Sequence, residues 1–274
     1  MHLIRRLYRF ARLIPHLFRG MWHAATRLPK NPPPRTEFEL HTVREWHRRA
    51  LELAGVDVRI HGTVARGPVL FAANHVSWLD ISGLATVIDA AFIGKRELQN
   101  WPLLGYIITR GGTIYIDRGE QGAAAGVAER MAERLHSGDR VAVFPEGTTS
   151  HGQDIRRFHP RLFEPAREAN APVQPVALRY DDPVAAFVDE EPFMRHVWRV
   201  LGSPRITLDI WLLPPIYPEG LQRRALARLA EQAVGDVVRG MPPPTTPDEA
   251  AAPLAASTGH NKAQQEQERA GDHH

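Results

Sequence analysis

Two short apolar runs in this chain each end in a dense cluster of polar residues. The run Val69–Ala73 leads directly into Asn74 and His75, and Asp80 follows five positions after the histidine. The run Val141–Phe144 leads into the sequence Pro-Glu-Gly-Thr. Short apolar runs bounded by polar residues are typical of buried strands. Because open α/β sheets bind ligands at the carboxyl ends of their strands, the two polar clusters are the first candidates for a functional site.

Predicted strands and helices alternate over most of the chain. This alternation predicts an α/β fold, a sheet flanked by helices, preceded by an N-terminal amphipathic helical segment. The predicted strands are residues 56–63, 69–73, 91–94, 113–117, 141–144, 173–179 and 206–213. The predicted helices are residues 37–55, a helix through Leu84, then 101–110, 121–136, 161–170 and 220–239.

Three parts are expected along the chain, because its composition changes twice. Residues 1–34 are expected to form a basic amphipathic segment, and residues 35–240 a folded α/β domain. Residues 241–274 are rich in Pro, Ala, Gln and charged residues without periodicity, which predicts a disordered tail. The chain has no cysteine, which excludes disulfides, thiolate zinc sites and a covalent acyl-cysteine intermediate.

The first 30 residues combine a helical apolar stripe with a strong excess of positive charge. They contain seven Arg and Lys residues and no acidic residue, since the first acidic residue of the chain is Glu37. Steps of three and four separate the apolar residues Leu3, Leu7, Phe10, Ile14, Leu17 and Met21, and the same rhythm two positions later separates Arg5, Arg9, Arg12, His16 and Arg19. The pattern predicts an amphipathic helix, kinked at Pro15, with a basic face.

Three interpretations of this helix are open. The apolar stripe could pack on the domain with its arginines solvated, or the helix could lie on an anionic bilayer with Tyr8 and Trp22 in the headgroup zone. A nucleic-acid arm is a third option, but such an arm does not need so regular an apolar stripe. No stretch reaches the roughly 18–20 apolar residues of a spanning helix. We therefore expect a peripheral or monotopic membrane protein on the cytoplasmic face, without a nucleic-acid partner.

His75 and Asp80 form the pair with the clearest chemical use. On one continuous helix they would lie about 140° apart, so they meet only if His75 ends the strand and Asp80 lies in the first turn of the next helix. Asp80 would then fix the imidazole tautomer and leave the other ring nitrogen free as a base. A His-x4-Asp spacing alone often occurs by chance, and Asn74 and Ser77 could simply cap the helix.

Further polar blocks follow the later predicted strands. They are the sequences Gly-Lys-Arg-Glu-Leu from Gly94, Thr-Ile-Tyr-Ile-Asp-Arg from Thr113, Phe-Pro-Glu-Gly-Thr from Phe144 and Val-Gln-Pro-Val-Ala-Leu from Val173. Together with Asn-His-x4-Asp, their order and spacing resemble the glycerolipid acyltransferase family of bacterial 1-acylglycerol-3-phosphate acyltransferases. The resemblance covers roughly residues 57–215. It implies a mixed sheet flanked by helices, with an acyltransferase domain over residues 35–240 that follows a membrane-associating segment over residues 1–34.

The resemblance implies a reaction and a set of site residues. His75 would deprotonate the acceptor hydroxyl, with Asp80 as its orienting carboxylate. The hydroxyl would then attack an acyl thioester, either acyl-CoA or acyl-carrier protein, with no metal and no cofactor. Lys95 and Arg118 match the family's phosphate-binding positions, and the acceptor pocket would be lined by Glu146, Gly147 and Thr148.

Each implied binding residue has an ordinary structural alternative. Lys95 could be a solvated charge at a strand end, and Arg118 could pair with Asp117 or Glu120. Glu146 could be a turn residue. The aromatic side chains of Trp101 and Tyr115 fit a core role better than a substrate contact, while Trp78 fits either.

One departure from the family pattern affects the acceptor. The branch that forms phosphatidic acid usually reads Pro-Glu-Gly-Thr-Arg-Ser, and this chain has Thr149 in place of the arginine. The Thr-Thr-Ser version resembles members that acylate other lysolipids, including lyso-ornithine lipid acyltransferases. Arg156, Arg157 or Arg161 could supply the missing charge. The expected product is phosphatidic acid from 1-acylglycerol-3-phosphate, with lyso-ornithine lipid or another lysolipid as the alternative acceptor.

Other classes of function fit the sequence less well. A serine lipase would need a Gly-x-Ser-x-Gly elbow, which the sequence does not contain. Hydrolysis by the His–Asp pair would require water in place of the acceptor. A non-enzymatic membrane-surface protein would explain the basic N-terminus but not the polar blocks at the predicted strand ends, and no zinc spacing or nucleic-acid recognition motif is present.

Overall fold

The structure is a computed structural model that describes residues 2–27, 36–101, 103–116, 123–188 and 191–243. Among these residues the α-helices are α1 His2–Arg27, α2 Glu37–Ala54, α3 Leu79–Ala85, α4 Leu104–Arg110, α5 Ala123–His136, α6 Glu164–Glu168, α7 Phe193–Val200 and α8 Arg223–Val238. The strands are β1 Val56–Gly62, β2 Leu70–Ala73, β3 Ala91–Lys95, β4 Ile114–Ile116, β5 Val141–Val143, β6 Val173–Tyr180 and β7 Ile206–Leu212.

The described strands form one sheet in the order β1-β7-β6-β2-β5-β3-β4. All neighbours are parallel except β6 and β7, so the sheet is mixed, as the family resemblance implies. The central strand β2 lies between β5 and β6 and runs parallel to both. The carboxyl ends of β2, β3, β5 and β6 therefore open at the same edge of the sheet, which is where the polar blocks of the sequence lie.

The core has two layers, one on each face of the sheet. Leu70 and Ala72 of β2 belong to the layer covered by α5, α6 and α8, while Phe71 and Ala73 belong to the layer covered by α2, α3 and α7. Successive side chains of a strand point to opposite faces, so a strand covered on both faces must be apolar throughout. This requirement explains why the run before His75 contains no polar residue.

Helix α1 is continuous through Pro15 and packs against α2 and α4. His16 is buried and its ring stacks on Trp46 at 5.1 Å between centroids, and Gly20 lies against the same indole. The guanidinium of Arg9 donates to the carbonyls of Leu201 (3.2 Å) and Ser203 (2.6 Å), just after the end of α7. A cation is favourable there because a helix C-terminus carries partial negative charge.

Helix α1 turns part of its apolar stripe and part of its basic face toward the domain. Arg5 also turns inward and donates to the carbonyl of Gly202 at 2.9 Å. Arg12 and Arg19 stay exposed, and of the predicted apolar stripe Phe10, Leu17 and Met21 are half-buried. The exposed apolar face of α1 consists of Leu3, Ile4, Leu7, Tyr8, Ile14, Phe18 and Trp22. Among the described residues, no helix has both the length and the hydropathy needed to cross a bilayer.

The observed elements differ from the predicted ones mainly at their ends. The predicted helix over 161–170 is a short 3-10 turn, Pro160–Phe163, followed by α6. The predicted helix over 101–110 begins later, at Leu104, because Leu103 has a positive φ of 62° that no helix continues. The sequence did not predict α7. Asp117, Gln121 and the tail beyond residue 243 lie outside the described residues, as does the end of the N-terminal segment.

Candidate active site

The turn from β2 into α3 brings His75 and Asp80 together. Nδ1 of His75 lies 2.8 Å from Oδ2 of Asp80, as the sequence predicts for a strand end followed by a first helical turn. The same oxygen accepts the backbone N–H groups of Val76 (2.7 Å) and Ser77 (2.9 Å). The carboxylate thus closes the loop and orients the ring in one set of contacts.

The loop is held to the sheet by Asn74. Its side-chain nitrogen donates to the carbonyl of Leu178 at 3.0 Å, and its oxygen accepts the Leu178 N–H at 2.7 Å. Asn74 therefore extends the pairing of β2 with β6 by one residue through its side chain. Neither Asn74 nor Ser77 caps α3, which begins after Trp78 without a side-chain cap.

The hydrogen bonds around His75 assign its tautomer. Because Nδ1 faces a carboxylate, which only accepts hydrogen bonds, the neutral ring carries its proton on Nδ1 and leaves a lone pair on Nε2. Nε2 makes no hydrogen bond to the described residues. The ring is 19% exposed and stacks on Phe144 with centroids 4.0 Å apart. A half-buried imidazole with a free, correctly oriented nitrogen can take a proton from a hydroxyl near neutral pH.

Glu146 braces the same loop from the neighbouring strand β5. It is 4% exposed, its Oε1 accepts the His75 N–H at 2.7 Å, and its Oε2 accepts the Arg156 N–H at 2.8 Å. Burial raises the pKa of Glu146, and the two backbone hydrogen bonds oppose that shift. Both carboxylate oxygens thus contact protein backbone, so the carboxylate positions the His75 backbone.

The residues after Glu146 form an exposed turn at the same edge. The N–H of Gly147 donates to the carbonyl of Phe144 at 3.1 Å, and its φ of +74° is strained for any side-chain-bearing residue. Gly147 and Thr148 are exposed. Thr149 differs from both, because its hydroxyl donates to the carbonyl of Phe187.

The predicted phosphate-binding residues have different positions. Lys95 is exposed at the carboxyl end of β3, two strands away from β2 at the same edge of the sheet. Arg118 lies outside the described residues. No cluster of three His, Asp or Glu side chains that could hold a metal ion occurs within the described ranges.

Sequence reasoning missed three contacts of this site. The hydroxyl of Tyr180 donates to Oδ1 of Asp80 at 2.6 Å. The indole nitrogen of Trp78 donates to His196 on the unpredicted helix α7, and Phe144 supports the ring of His75. In each of these three contacts the two residues lie about 70 to 120 positions apart in the sequence. The contact of Tyr180 could be inferred only once the pairing of β2 with β6 is known. Leu178 of β6 hydrogen-bonds to Asn74, and Tyr180 is the next residue of β6 on the same face of the sheet.

Comparisons with known proteins agree with this geometry. The family model described as Acyltransferase matches residues 55–179, which span β1 to β6 and contain both His75 and Glu146. The lyso-ornithine lipid O-acyltransferase of Pseudomonas aeruginosa is 38% identical over 252 residues, which cover 88% of this chain and 96% of that enzyme. The 1-acyl-sn-glycerol-3-phosphate acyltransferase of Neisseria gonorrhoeae is 33% identical over 62% of this chain and 69% of that enzyme.

A solved structure shares the fold. The crystal structure of the 1-acyl-sn-glycerophosphate acyltransferase of Thermotoga maritima superposes with a TM-score of 0.66 and 20% identity, covering 86% of this chain and 94% of that one. At this identity the likeness concerns the architecture of sheet and helices. The family match, the full-length relative and the shared fold lead to one conclusion. The chain belongs to the acyltransferase family and is an O-acyltransferase.

Proposed function

We propose that the enzyme transfers a fatty acyl group from a thioester to the free hydroxyl of a lysolipid, and that lyso-ornithine lipid is the acceptor. The observation that carries the reaction is the His75–Asp80 pair, in which Nε2 of His75 has no hydrogen-bond partner among the described residues. The proposed identity of the acceptor is based on the relatives, since the lyso-ornithine lipid O-acyltransferase of Pseudomonas aeruginosa aligns with this chain over 96% of its own length.

The proposed chemistry needs only a base and an oriented acceptor. Nε2 of His75 takes the hydroxyl proton as the oxygen attacks the thioester carbonyl. The C–O ester bond forms, the C–S bond breaks, and the leaving thiolate recovers the proton from the imidazolium. The buried Asp80 stabilises that imidazolium, and such general-base catalysis typically contributes about 10²–10⁴-fold. We propose acyl-CoA or acyl-carrier protein as the donor.

Position 149 also supports the lyso-ornithine acceptor. A phosphomonoester carries nearly two negative charges and needs several cations, whereas an ornithine headgroup carries one carboxylate and one ammonium. The Thr149 side chain is engaged by the Phe187 carbonyl and brings no charge. We propose that Lys95 and Arg118 bind the anionic group of the acceptor and that Gly147 and Thr148 line its pocket.

The second candidate acceptor is 1-acylglycerol-3-phosphate, with phosphatidic acid as the product. Relatives with that activity in their names, from two Neisseria species, are 33% identical to this chain over 62% of its length. An arginine near Gly147, such as Arg156, would have to replace the charge that is absent at position 149. The two acceptors differ in headgroup charge, so a direct competition assay separates them.

We further propose that the enzyme binds peripherally to the cytoplasmic face of the membrane through α1. Its exposed face carries large apolar side chains, among them Leu7 (53% exposed), Phe18 (50%) and Trp22 (55%), with Arg12 and Arg19 exposed beside them. A helix with this distribution is suited to the interface of an anionic bilayer. Both the lysolipid and the product reside in that bilayer, and the thioester donors are cytoplasmic.

The deciding experiment uses purified enzyme on vesicles that contain lyso-ornithine lipid or 1-acylglycerol-3-phosphate. Wild type should acylate the lyso-ornithine lipid, and His75→Ala should lower kcat about 10²–10⁴-fold while vesicle binding stays intact. The exposed His41→Ala on α2 is the matched control and should retain activity. Unchanged acyl transfer by His75→Ala would overturn the reaction, and preferential use of 1-acylglycerol-3-phosphate would overturn the proposed acceptor.

A further inference from the structure

The two oxygens of the Asp80 carboxylate have different partners. Oδ2 accepts hydrogen bonds from His75, Val76 and Ser77, all within its own loop. Oδ1 accepts one from Tyr180 at the end of β6, at 2.6 Å. Among the described residues Tyr180 is the hydrogen-bond partner of that second oxygen. Asp80 itself is 0% exposed, so solvent does not supply further donors to Oδ1.

A phenol is well suited to this position. A buried carboxylate without donors on both oxygens is costly, and a hydroxyl that meets a carboxylate can only donate. Burial raises the pKa of Tyr180 well above its ordinary value, and the charge of Asp80 and their hydrogen bond add to that shift. The hydroxyl therefore keeps its proton and donates at every working pH.

We propose that Tyr180 is the positioning residue of a Tyr180–Asp80–His75 chain, and that its hydrogen bond sets the pH above which His75 is a free base. This inference rests on the proposed role of His75 in acyl transfer. Tyr180 does not touch the reacting atoms. It acts through Asp80, which it holds as an anion in the orientation that receives Nδ1–H of His75.

The direction of the effect follows from the charge on Asp80. Without the hydroxyl, a buried anionic oxygen has no donor, and the His75–Asp80 pair becomes more basic as a unit. The pair then takes up its proton at a higher pH. Within the described part of the chain, the other titratable side chains that hydrogen-bond to this loop are Glu146, which binds the His75 backbone, and His196, which binds Trp78. Neither is altered when the hydroxyl of Tyr180 is removed.

The test is Tyr180→Phe in the full chain, with Tyr217→Phe as the control, because Tyr217 is 54% exposed and loses the same hydroxyl. We expect kcat to fall about tenfold with little change in KM for the lysolipid. The acid limb of the kcat/KM profile should move about one pH unit upward. A role confined to packing would lower the melting temperature without moving that limb.

Two further measurements keep the test decisive. An NMR titration of the His75 ring in substrate-free Tyr180→Phe should show the same upward shift, provided the variant remains folded. In an Asp80→Asn background, where the charge is absent, Tyr180→Phe should cost less than twofold in kcat. An unshifted His75 titration and acid limb would overturn the proposal. A shifted titration in an enzyme that acylates no lysolipid would instead reject the proposed function and leave the role of Tyr180 standing.

Discussion

The indole nitrogen of Trp78 donates a hydrogen bond to Nδ1 of His196 at 2.9 Å, joining residues 118 positions apart. Trp78 lies between His75 and Asp80 in the sequence, and His196 lies on α7 with 0% exposure. Nε2 of His196 pairs with the carbonyl of Ala186 at 3.0 Å. Nδ1 accepts and Nε2 donates, so the neutral form of His196 satisfies both contacts and ties α7 to the loop between β2 and α3.

The pH dependence of folding should report this neutral histidine. Burial lowers the pKa of His196, with Arg199 contributing further, and burial also lowers the pKa of His16. The unfolded chain therefore binds more protons than the folded protein below the ordinary histidine pKa of about 6.5. Stability should be full above about pH 6.5 and fall as the pH drops from there toward the lowered folded-state values.

Urea unfolding at several pH values checks this expectation. His196→Asn keeps an acceptor for Trp78, loses the Ala186 contact, and should cost about 1–3 kcal/mol at pH 7.5. Between pH 7 and 5.5 the variant should lose less stability than wild type. The loss that persists in the variant is due in part to His16. The exposed His41→Asn is the control. A variant with the wild-type pH slope would show that His196 is not kept neutral by the fold.

Removal of the Glu146 carboxylate should damage catalysis more than substrate binding. Glu146→Ala leaves the N–H groups of His75 and Arg156 without their acceptor, which should lower the free energy of unfolding by about 1–3 kcal/mol. Because the His75 backbone loses its support, kcat should fall while KM for the lysolipid changes little. Steady-state kinetics of Glu146→Ala beside the exposed Glu168→Ala measure the difference. A rise in KM alone would assign Glu146 to the acceptor pocket instead.

The two faces of α1 should respond oppositely to substitution. Leu7→Glu and Phe18→Glu should each weaken binding to anionic vesicles about tenfold or more, with little effect on the melting temperature, because both side chains are exposed. Tyr217→Glu, at an exposed site away from α1, is the control and should bind normally. Vesicle flotation gives the binding. Unaffected flotation in both α1 variants would remove this face from the membrane interface.

On the inner face of the same helix, Arg9→Ala should destabilise the fold. Its guanidinium donates to the carbonyls of Leu201, Ser203 and Pro204, and the variant leaves those groups without a charged donor. The expected loss is about 1–3 kcal/mol in urea unfolding. Arg12→Ala is the matched control, because Arg12 is exposed and contacts only its neighbour Tyr8 among the described residues. Equal losses in the two variants would contradict the inward role of Arg9.

Acceptor choice should respond to charge at position 149. Thr149→Arg should raise activity on 1-acylglycerol-3-phosphate relative to lyso-ornithine lipid by about tenfold, because a charged hydrogen bond to phosphate is added. Thr149→Val is the control, since both variants lose the hydrogen bond to the Phe187 carbonyl. The ratio of kcat/KM values for the two lipids is the measurement. If the ratio were equal in the two variants, the charge at position 149 would not determine the choice of acceptor.

Much of the fold was predictable because its signals are local. The alternation of apolar runs and helical segments predicted a sheet covered by helices, and the fully apolar β2 reflects burial on both faces. The contact between His75 and Asp80 was also predictable, since a strand end and a first helical turn bring residues five positions apart together. Helix α7 escaped prediction, because a helix of eight residues spans barely two turns and its periodicity is weak evidence.

By itself, the sequence determined the order of the strands, the edge of the sheet that carries the site, and the histidine–carboxylate pair. Only the tertiary structure decided which face of α1 meets the domain, because periodicity defines two faces without saying what covers either. It also decided that Tyr180 meets Asp80 and that both Glu146 oxygens hold backbone. Those contacts join residues that are distant in the chain, and they exist only because strand pairing brings β2, β5 and β6 side by side.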